Sequence, residues 1–379
     1  MVTIYELIEQ MKLTYIANVK MPGTRTNSYY AFEMSRALSE VGYEVTLMVP
    51  IRKSVNIGDP FAFFRSPQRF VIRYVSCIDL VQTFGSLGSR IQYASFIFFV
   101  CIKMLFADRK QIIYTREPII VLLLSFLRFT VVFEAVRFNE HKRRHLRFIK
   151  RAKVCVTTTM QAARILSARG FKRVVYVPNG VNIRRFEEPI DSAQARKQFN
   201  LPVGRELITY IGDLSGTREI ETLYRAAQRL REDAQIVLIG GSAKDVRAYR
   251  SRVTRERVSN VIFYGALENR LIPDAMRASD GLVLLNQRTP DERSWGRLFE
   301  YMASGVPIIA FDTGPIKTVL SDSNALLVPE GDPSALAGAI EDILRAPQQF
   351  ASIAQQAKRD VGAYTWQARA LKIKMMLQH

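Results

Sequence analysis

"DGLVLLNQRTPDERSWGRLFEYMASGVPIIAF", Asp280 to Phe311, decides the fold. Its two ends, "DGLVLLN" and "VPIIAF", are apolar runs of strand length. The helical pattern between them begins near Ser294 and stops before Gly305, a natural C-terminal cap. A helix joining two parallel strands has its first turn at the carboxyl end of the sheet. Its free backbone N–H groups and dipole make that turn a ready site for phosphate. Three of its charged residues carry the reading: Glu292 in the loop before the helix, Arg297 one turn in, and Glu300 about a turn beyond. Arg297 adds a charged donor for a diphosphate oxygen. Glu300 can accept two ribose hydroxyls, as acidic residues do in dinucleotide folds. Glu292 can reach past the phosphate toward whatever is attached to it. The constellation reads as a site for a nucleoside-diphosphate-linked group. By spacing alone, Glu292 and Glu300 serve equally well as surface acids flanking a core helix.

The same alternation extends in both directions. After Met11, "KLTYIAN" is followed by the loop "VKMPGTRTNS". Ala31, Met34, Leu38 and Val41 then recur at helical spacing, Gly42 stops the helix, and "YEVTLMVP" alternates as a strand. That is one strand–helix–strand unit of a parallel sheet. Further strands are expected at "QIIYT", "VVFEA", "KVCVTTT" and "VVYVP", and a second series at "LITYIGDL", "QIVLIGG", "NVIFYGAL", "DGLVLLN" and "VPIIAF". The fold class is α/β, with two Rossmann-like doubly wound domains facing a central cleft. The break falls at "VPNGVNIRRF", where Pro178, Asn179 and Gly180 interrupt regular structure. The expected organisation is an extension over 1–10, a first domain over 11–177, a second over 178–358, and a C-terminal helix over 359–379 that crosses back to the first.

Length and composition agree with two globular domains: 379 residues, 48% apolar and 23% charged. Cys77, Cys101 and Cys155 are scattered, in no metal or redox spacing, and read as free buried thiols of a reducing compartment. His141, His145 and His379 are too few for a histidine-based metal site. No secretory leader is expected. The apolar stretches Tyr93–Ala107 and Pro118–Phe133 are broken by Lys103 and Arg128, short of the ~20 residues of a membrane span. The net charge is +19, and residues 1–177 carry nearly all of it, with 27 basic against 11 acidic side chains. Its peak is "RFNEHKRRHLRFIKRAK", Arg137 to Lys153. A halved distribution of this kind suits a polyanionic partner, nucleic acid or an anionic lipid surface, although such a run in isolation is also a solvated helix face.

"RLFEYMASGVPIIAFDTG" resembles the helix–strand signature of the retaining glycosyltransferases of family 4, the glycosyl transferases group 1, which have the GT-B fold. "VPNGVNIRRF" is similar to that family's domain-crossing motif and "YIGDLSGTREIETLYRAAQRL" to its second-domain phosphate loop. "MPGTRTNSYYAFEMSRALSEVGYEVTLMVP" and "IIYTRE" match in the first half. The resemblance runs from Met11 over nearly the whole chain. It implies that Glu292 contacts the transferred sugar and Glu300 the ribose, with Arg218 and Arg297 as the phosphate cations. Gly212, Ser294, Trp295 and Gly296 would complete the donor site, and Gly265 to Leu267 would meet the nucleobase. Gly23, Thr24, Arg25 and Arg116 are expected on the acceptor side. Three positions depart from the pattern. Asp213 stands in the slot of a phosphate-binding arginine, Val136 where a catalytically important histidine often sits, and Lys317 in place of a frequent glutamate. His141 and His145 either replace that histidine or belong to the charged face.

The activity implied is transfer of a sugar, with retention and without metal or cofactor, from a UDP- or GDP-sugar to a glycan or lipid-linked acceptor. The apolar loop "DPFAFFRSPQRF", Asp59 to Phe70, is expected either to dip into an anionic membrane at its cytoplasmic face or to pack inward. Two rivals follow from the same residues. A sugar-nucleotide epimerase of this fold would act without an acceptor. A nucleic-acid-binding protein would explain the charge, but no RNA- or DNA-binding motif accompanies the basic run, so no nucleic-acid partner is expected.

Overall fold

The computed structural model describes residues 11–53, 58–135, 143–187, 191–214, 217–285, 296–314 and 316–378, with the backbone alone for 143–145 and 217–218. Two units result: Met1–Gly180 together with Trp366–His379, and Val181–Thr365. The chain thus leaves the first unit after Gly180 and re-enters it at Trp366, where the sequence suggested 178 and 359.

The first unit holds seven parallel strands: β1 (Lys12–Ile16), β2 (Glu44–Pro50), β3 (Val71–Val75), β4 (Ile112–Thr115), β5 (Thr130–Ala135), β6 (Val154–Thr157) and β7 (Val174–Tyr176). Their order is β3-β2-β1-β4-β5-β6-β7. The second holds six, also parallel: β8 (Glu206–Gly212), β9 (Ala234–Gly240), β10 (Val261–Gly265), β11 (Gly281–Leu284), β12 (Ile308–Phe311) and β13 (Leu326–Val328), in the order β10-β9-β8-β11-β12-β13. In each sheet the strand order reverses once, between β1 and β4 and between β8 and β11. Such reversals open a crevice beyond the carboxyl ends of the strands, where doubly wound folds bind ligands.

Each sheet is covered on both faces. In the first unit, the helix Thr26–Glu40 and the return helix Trp366–Gln378 bury Phe32, Leu38, Trp366 and Ile373 against Tyr15, Leu47 and Tyr114. On the other face the long helix Val81–Leu105 and the helix Pro118–Phe126 bury Phe96, Val100, Met104, Ile120 and Leu124 against Ile16 and Ile113. The long helix corrects one expectation. By length and composition it could cross a membrane, because it begins at Val81, across a kink at Gly85, well before the apolar run Tyr93–Ala107. Its inner face is nevertheless part of the sheet's core.

The loop Asp59–Phe70 packs inward. Asp59 caps the short helix Pro60–Phe63, and Phe61 and Phe64 lie 5.5 and 4.5 Å from the Phe32 ring, centroid to centroid. Of the basic run, the helix Arg143–Ile149 is described; Leu146 and Ile149 are buried while Arg147 and Lys150 face solvent.

A buried charge network ties the return helix down. The Glu134 carboxylate, fully buried at the end of β5, accepts from Arg116 Nε at 2.8 Å and Nη2 at 3.2 Å, and from Arg369 Nη2 at 2.7 Å. Arg369 also donates to the carbonyls of Val177 and Pro178. Burial alone would raise the Glu134 carboxyl, but the two guanidiniums outweigh it and hold the group below the usual carboxylate range. The three cysteines are free, but only Cys155 is buried, Cys77 and Cys101 being half-buried, and burial pushes the Cys155 thiol up to about 12.

Candidate functional site

Three segments of the second unit meet at the β8/β11 reversal. The first is the end of β8. Gly212 pairs with Gly240 at the end of β9, and Gly240 has φ +117°, with its missing Cβ pointing at the Gly212 carbonyl oxygen. A side chain on Gly240 would collide with that backbone, and one on Gly212 would collide with the Tyr210 hydroxyl. The Tyr210 hydroxyl is itself fixed, donating to the Asp213 carbonyl at 2.9 Å. The result is a strand end without side chains, as close approach of a diphosphate requires. Arg218 follows in the first turn of the helix Thr217–Ala227; its side chain lies outside the described residues.

The second segment is the helix Gly296–Ser304. Gly296, Leu298, Phe299, Tyr301, Met302 and Ala303 are buried on its inner side, and Phe299 stacks on Tyr364 at 4.4 Å. Tyr301 sets the helix's position: its hydroxyl accepts from the Ile211 N–H at 2.9 Å and donates to the Val283 carbonyl at 3.4 Å. One side chain therefore joins the helix to both strands that frame the reversal. Burial pushes this hydroxyl up to about 12. Tyr301→Phe leaves the Ile211 N–H buried without its acceptor, so the expected loss is about 1–3 kcal/mol of unfolding free energy. Chemical denaturation of the variant checks this, and an unchanged midpoint would refute it.

The helix presents two charged side chains. Glu300 Oε2 lies 2.5 Å from Arg297 Nη1, and its Oε1 lies 3.5 Å from Arg185 Nη1. Arg185, from the 3-10 turn Ile183–Phe186, also donates to the Asn269 carbonyl. Asn269 belongs to the third segment, which begins where β10 ends at Gly265 with φ +89° and continues through Leu267, packed against the core. Arg185 thus joins Glu300 to the segment expected to meet a nucleobase. It stands in the quoted "VNIRRF", but nothing in the spacing announced that reach; Tyr301 was missed for the same reason.

Glu292, Ser294 and Trp295 lie outside the described residues, as do Val136, His141 and the side chain of His145. Lys317 pairs with Asp312 at 2.9 Å. In the first unit, Gly23, Thr24 and Arg25 form the link between β1 and the helix Thr26–Glu40, with Thr24 and Arg25 exposed. Arg116 follows β4, but its guanidinium is engaged twice by Glu134, which leaves little of it to meet an acceptor. A cavity of about 490 Å³ in the same unit is lined by Lys12, Glu44, Arg73 and Lys103. It includes Lys12 and Glu44, the first residues of β1 and β2, and so lies at the opposite edge from the ligand crevice. Among the described residues, no group of three His, Cys, Asp or Glu side chains is placed to hold a metal ion.

Two parallel α/β units wound in this order define a GT-B fold. HepE from Anabaena, solved with UDP and glucose, superposes with a TM-score of 0.73 at 18% identity, covering 97% of this chain and 100% of its own. Sucrose-phosphate synthase from Thermosynechococcus elongatus does so with 0.69 at 22% identity, covering 97% and 98%. Residues 191–360, within the second unit, match the family model of the glycosyl transferases group 1. Among the relatives, a D-inositol 3-phosphate glycosyltransferase of Xylanimonas cellulosilytica is 27% identical over 212 residues, 52% of this chain and 49% of its own. A GDP-mannose-dependent alpha-mannosyltransferase of Mycolicibacterium smegmatis is 27% identical over 225 residues, 59% and 56%. The chain spans about half the length of the curated relatives it matches.

Proposed function

We propose that this protein is a retaining glycosyltransferase that moves a sugar from a UDP- or GDP-linked donor, without a metal ion, to a glycan or lipid-linked acceptor at the cytoplasmic face of a membrane. The observation that carries the reading is the Arg297–Glu300–Arg185 network, held at the sheet reversal by Tyr301, with Arg297, Glu300 and Tyr301 inside the stretch that matches the family model. Glu300, oriented from two sides, holds the ribose. Arg297 and Arg218 neutralise the leaving diphosphate together with the helix amides, by preorganised electrostatics; the sequence has no Asp-x-Asp motif to bring a cation there. Glu292 positions the sugar hydroxyls and supports the oxocarbenium-like transition state. Retention follows from the family resemblance, with the acceptor attacking on the face the diphosphate leaves. The named activities of the relatives support a nucleotide-sugar donor and a hydroxylated acceptor. The basic first unit suits an acceptor presented at an anionic surface.

A thermal-shift panel of UDP-, GDP- and ADP-sugars tests the donor reading, since a ligand of the native state raises apparent stability, by about 2.7 kcal/mol at a hundred times Kd. One nucleoside class is expected to raise the melting temperature, equally in the presence of a chelator. Loss of the shift with chelator and its return with magnesium or manganese would overturn the metal-independent reading.

A further inference from the structure

The long helix Val81–Leu105 is apolar on two faces. One is buried: Gly88, Gln92, Phe96, Val100 and Met104 follow at intervals of one turn and face the sheet. The other is not. Leu87, Ala94, Phe98, Ile102 and Leu105 recur at three- and four-residue steps or their sums, and all are exposed. Residues at this spacing share one side of a helix. Only 28% of the helix's most apolar stretch is buried. Phe98 is 59% exposed, and two further rings extend the patch: Phe106 just past the helix end, 89% exposed, and Phe126 at the end of the neighbouring helix, 60% exposed. Single exposed apolar residues are ordinary on a protein surface, whereas a continuous stripe of them marks an interaction site.

Cations border the stripe. The Arg151 guanidinium lies over the Phe126 ring at 4.0 Å. Arg109 lies over Phe129 at 4.6 Å and donates to the Leu105 carbonyl at 2.9 Å, so the two helix ends share one rim. Arg90, Lys103 and Arg128 are exposed along the same segments. Between residues 81 and 130 the only acids are Asp108 and Glu117, and Glu117 is turned toward Tyr93.

We infer that this outer face, with Phe98, Phe106 and Phe126 as anchors, is where the protein docks on an anionic lipid bilayer, the long helix lying in the plane of the interface. An apolar strip with aromatics, flanked by arginine and lysine, matches both layers of such an interface: the rings enter the acyl boundary and the cations meet the headgroup charge. A second copy of the chain would bring the same positive rim against its like, and a chain of net charge +19 repels itself. The inference rests on the membrane-face reading above and places the contact on the long helix and the neighbouring end of Pro118–Phe126, with Arg151, just past the basic helix Arg143–Ile149, at its rim rather than that helix as its anchor.

Flotation of the full chain with vesicles of equimolar phosphatidylglycerol and phosphatidylcholine, and with pure phosphatidylcholine, tests both. The wild type is expected to float with the anionic vesicles, less so as salt rises. The variant Phe98→Ser/Phe106→Ser/Phe126→Ser is expected to lose at least about tenfold in partitioning, the scale of removing buried apolar area from an interface. Its melting temperature and its shift with nucleotide-sugar should be those of the wild type. Phe106→Ser alone, at the most exposed position, carries a part of the loss and guards against a misfolded triple variant. If the triple variant floats like the wild type while charge reversal at Arg143, Arg144 and Arg147 abolishes flotation, the docking inference is overturned and the membrane-face reading stands. No flotation of the wild type overturns both. A wild type that is dimeric in sedimentation, and monomeric as the triple variant, assigns the stripe to a second copy and overturns the inference.

Discussion

Glu292→Gln is expected to lower kcat by about 10²-fold or more while nucleoside diphosphate affinity barely changes, the scale of one lost electrostatic stabiliser. The substitution keeps the size of the side chain and removes its charge. In the proposed mechanism that charge lies beside the sugar, where positive charge develops only in the transition state. Losing it leaves ground-state binding of the nucleotide intact. Glu300→Gln is the contrast. Ribose does not change during the reaction, so weakening its contact raises KM with a smaller effect on kcat. In the structure Glu300 also balances Arg297 and Arg185, so its variant should in addition lose some order around Asn269. Steady-state kinetics with saturating and limiting donor, accompanied by a melting check, separates the two glutamates. Should Glu292→Gln lose nucleotide affinity and keep turnover at saturation, the two assignments are exchanged.

Glu134→Gln is expected to destabilise the first unit by about 3–5 kcal/mol, the usual consequence of leaving buried charge without its partner. The amide cannot balance Arg116 and Arg369, both of which lie within 2.8 Å of the carboxylate. For a unit of this size that corresponds to a fall in melting temperature of roughly 10 °C. Replacing all three residues together by apolar ones of similar volume should recover part of the loss, which a mere packing defect would not predict. The pH dependence follows from the sign of the shift. Glu134 titrates below its unfolded value of about 4.3, so its contribution is present above that pH and is lost as pH falls through the folded value. Wild type and variant should therefore converge in stability only as pH falls through the depressed folded value, where Glu134 takes up its proton. In the proposed reading nucleotide-sugar binding belongs to the second unit, so it should survive the substitution at temperatures where both units are folded. An acid-insensitive difference between the two proteins would show that the network is not what stabilises the unit.

Much of the fold was legible because parallel strands, most of them buried on both faces, read as apolar runs, and eleven of the thirteen described strands did. The two that did not were edge strands. β3 alternates, with Val71 and Arg73 facing water, and β13 is only three residues long. At the site, Arg297 and Glu300 were visible because three residues along a helix are neighbours in space. Arg185 and Tyr301 were not, since their partners at Glu300, Asn269, Ile211 and Val283 are brought to them only by folding. The long helix illustrates a third kind of blindness. A sequence apolar on two faces does not say which of them the sheet will cover, and only the packing of Phe96, Val100 and Met104 reveals that Phe98 is left outside.

The return helix has a consequence for how the protein is made. Trp366, Ala370 and Ile373 complete the core of the first unit, and Arg369 clasps the Val177 and Pro178 carbonyls. Yet these residues leave the ribosome only after the whole of Val181–Thr365, a delay of roughly 10 to 40 s at the usual pace of synthesis. During that interval the nascent first unit carries an uncovered groove beside the helix Thr26–Glu40 and a Glu134 lacking one of its two cations. The second unit, contiguous in the chain, can finish first. The order of synthesis and the order of completion are thus opposite, and the unfinished first unit is the form a chaperone would meet.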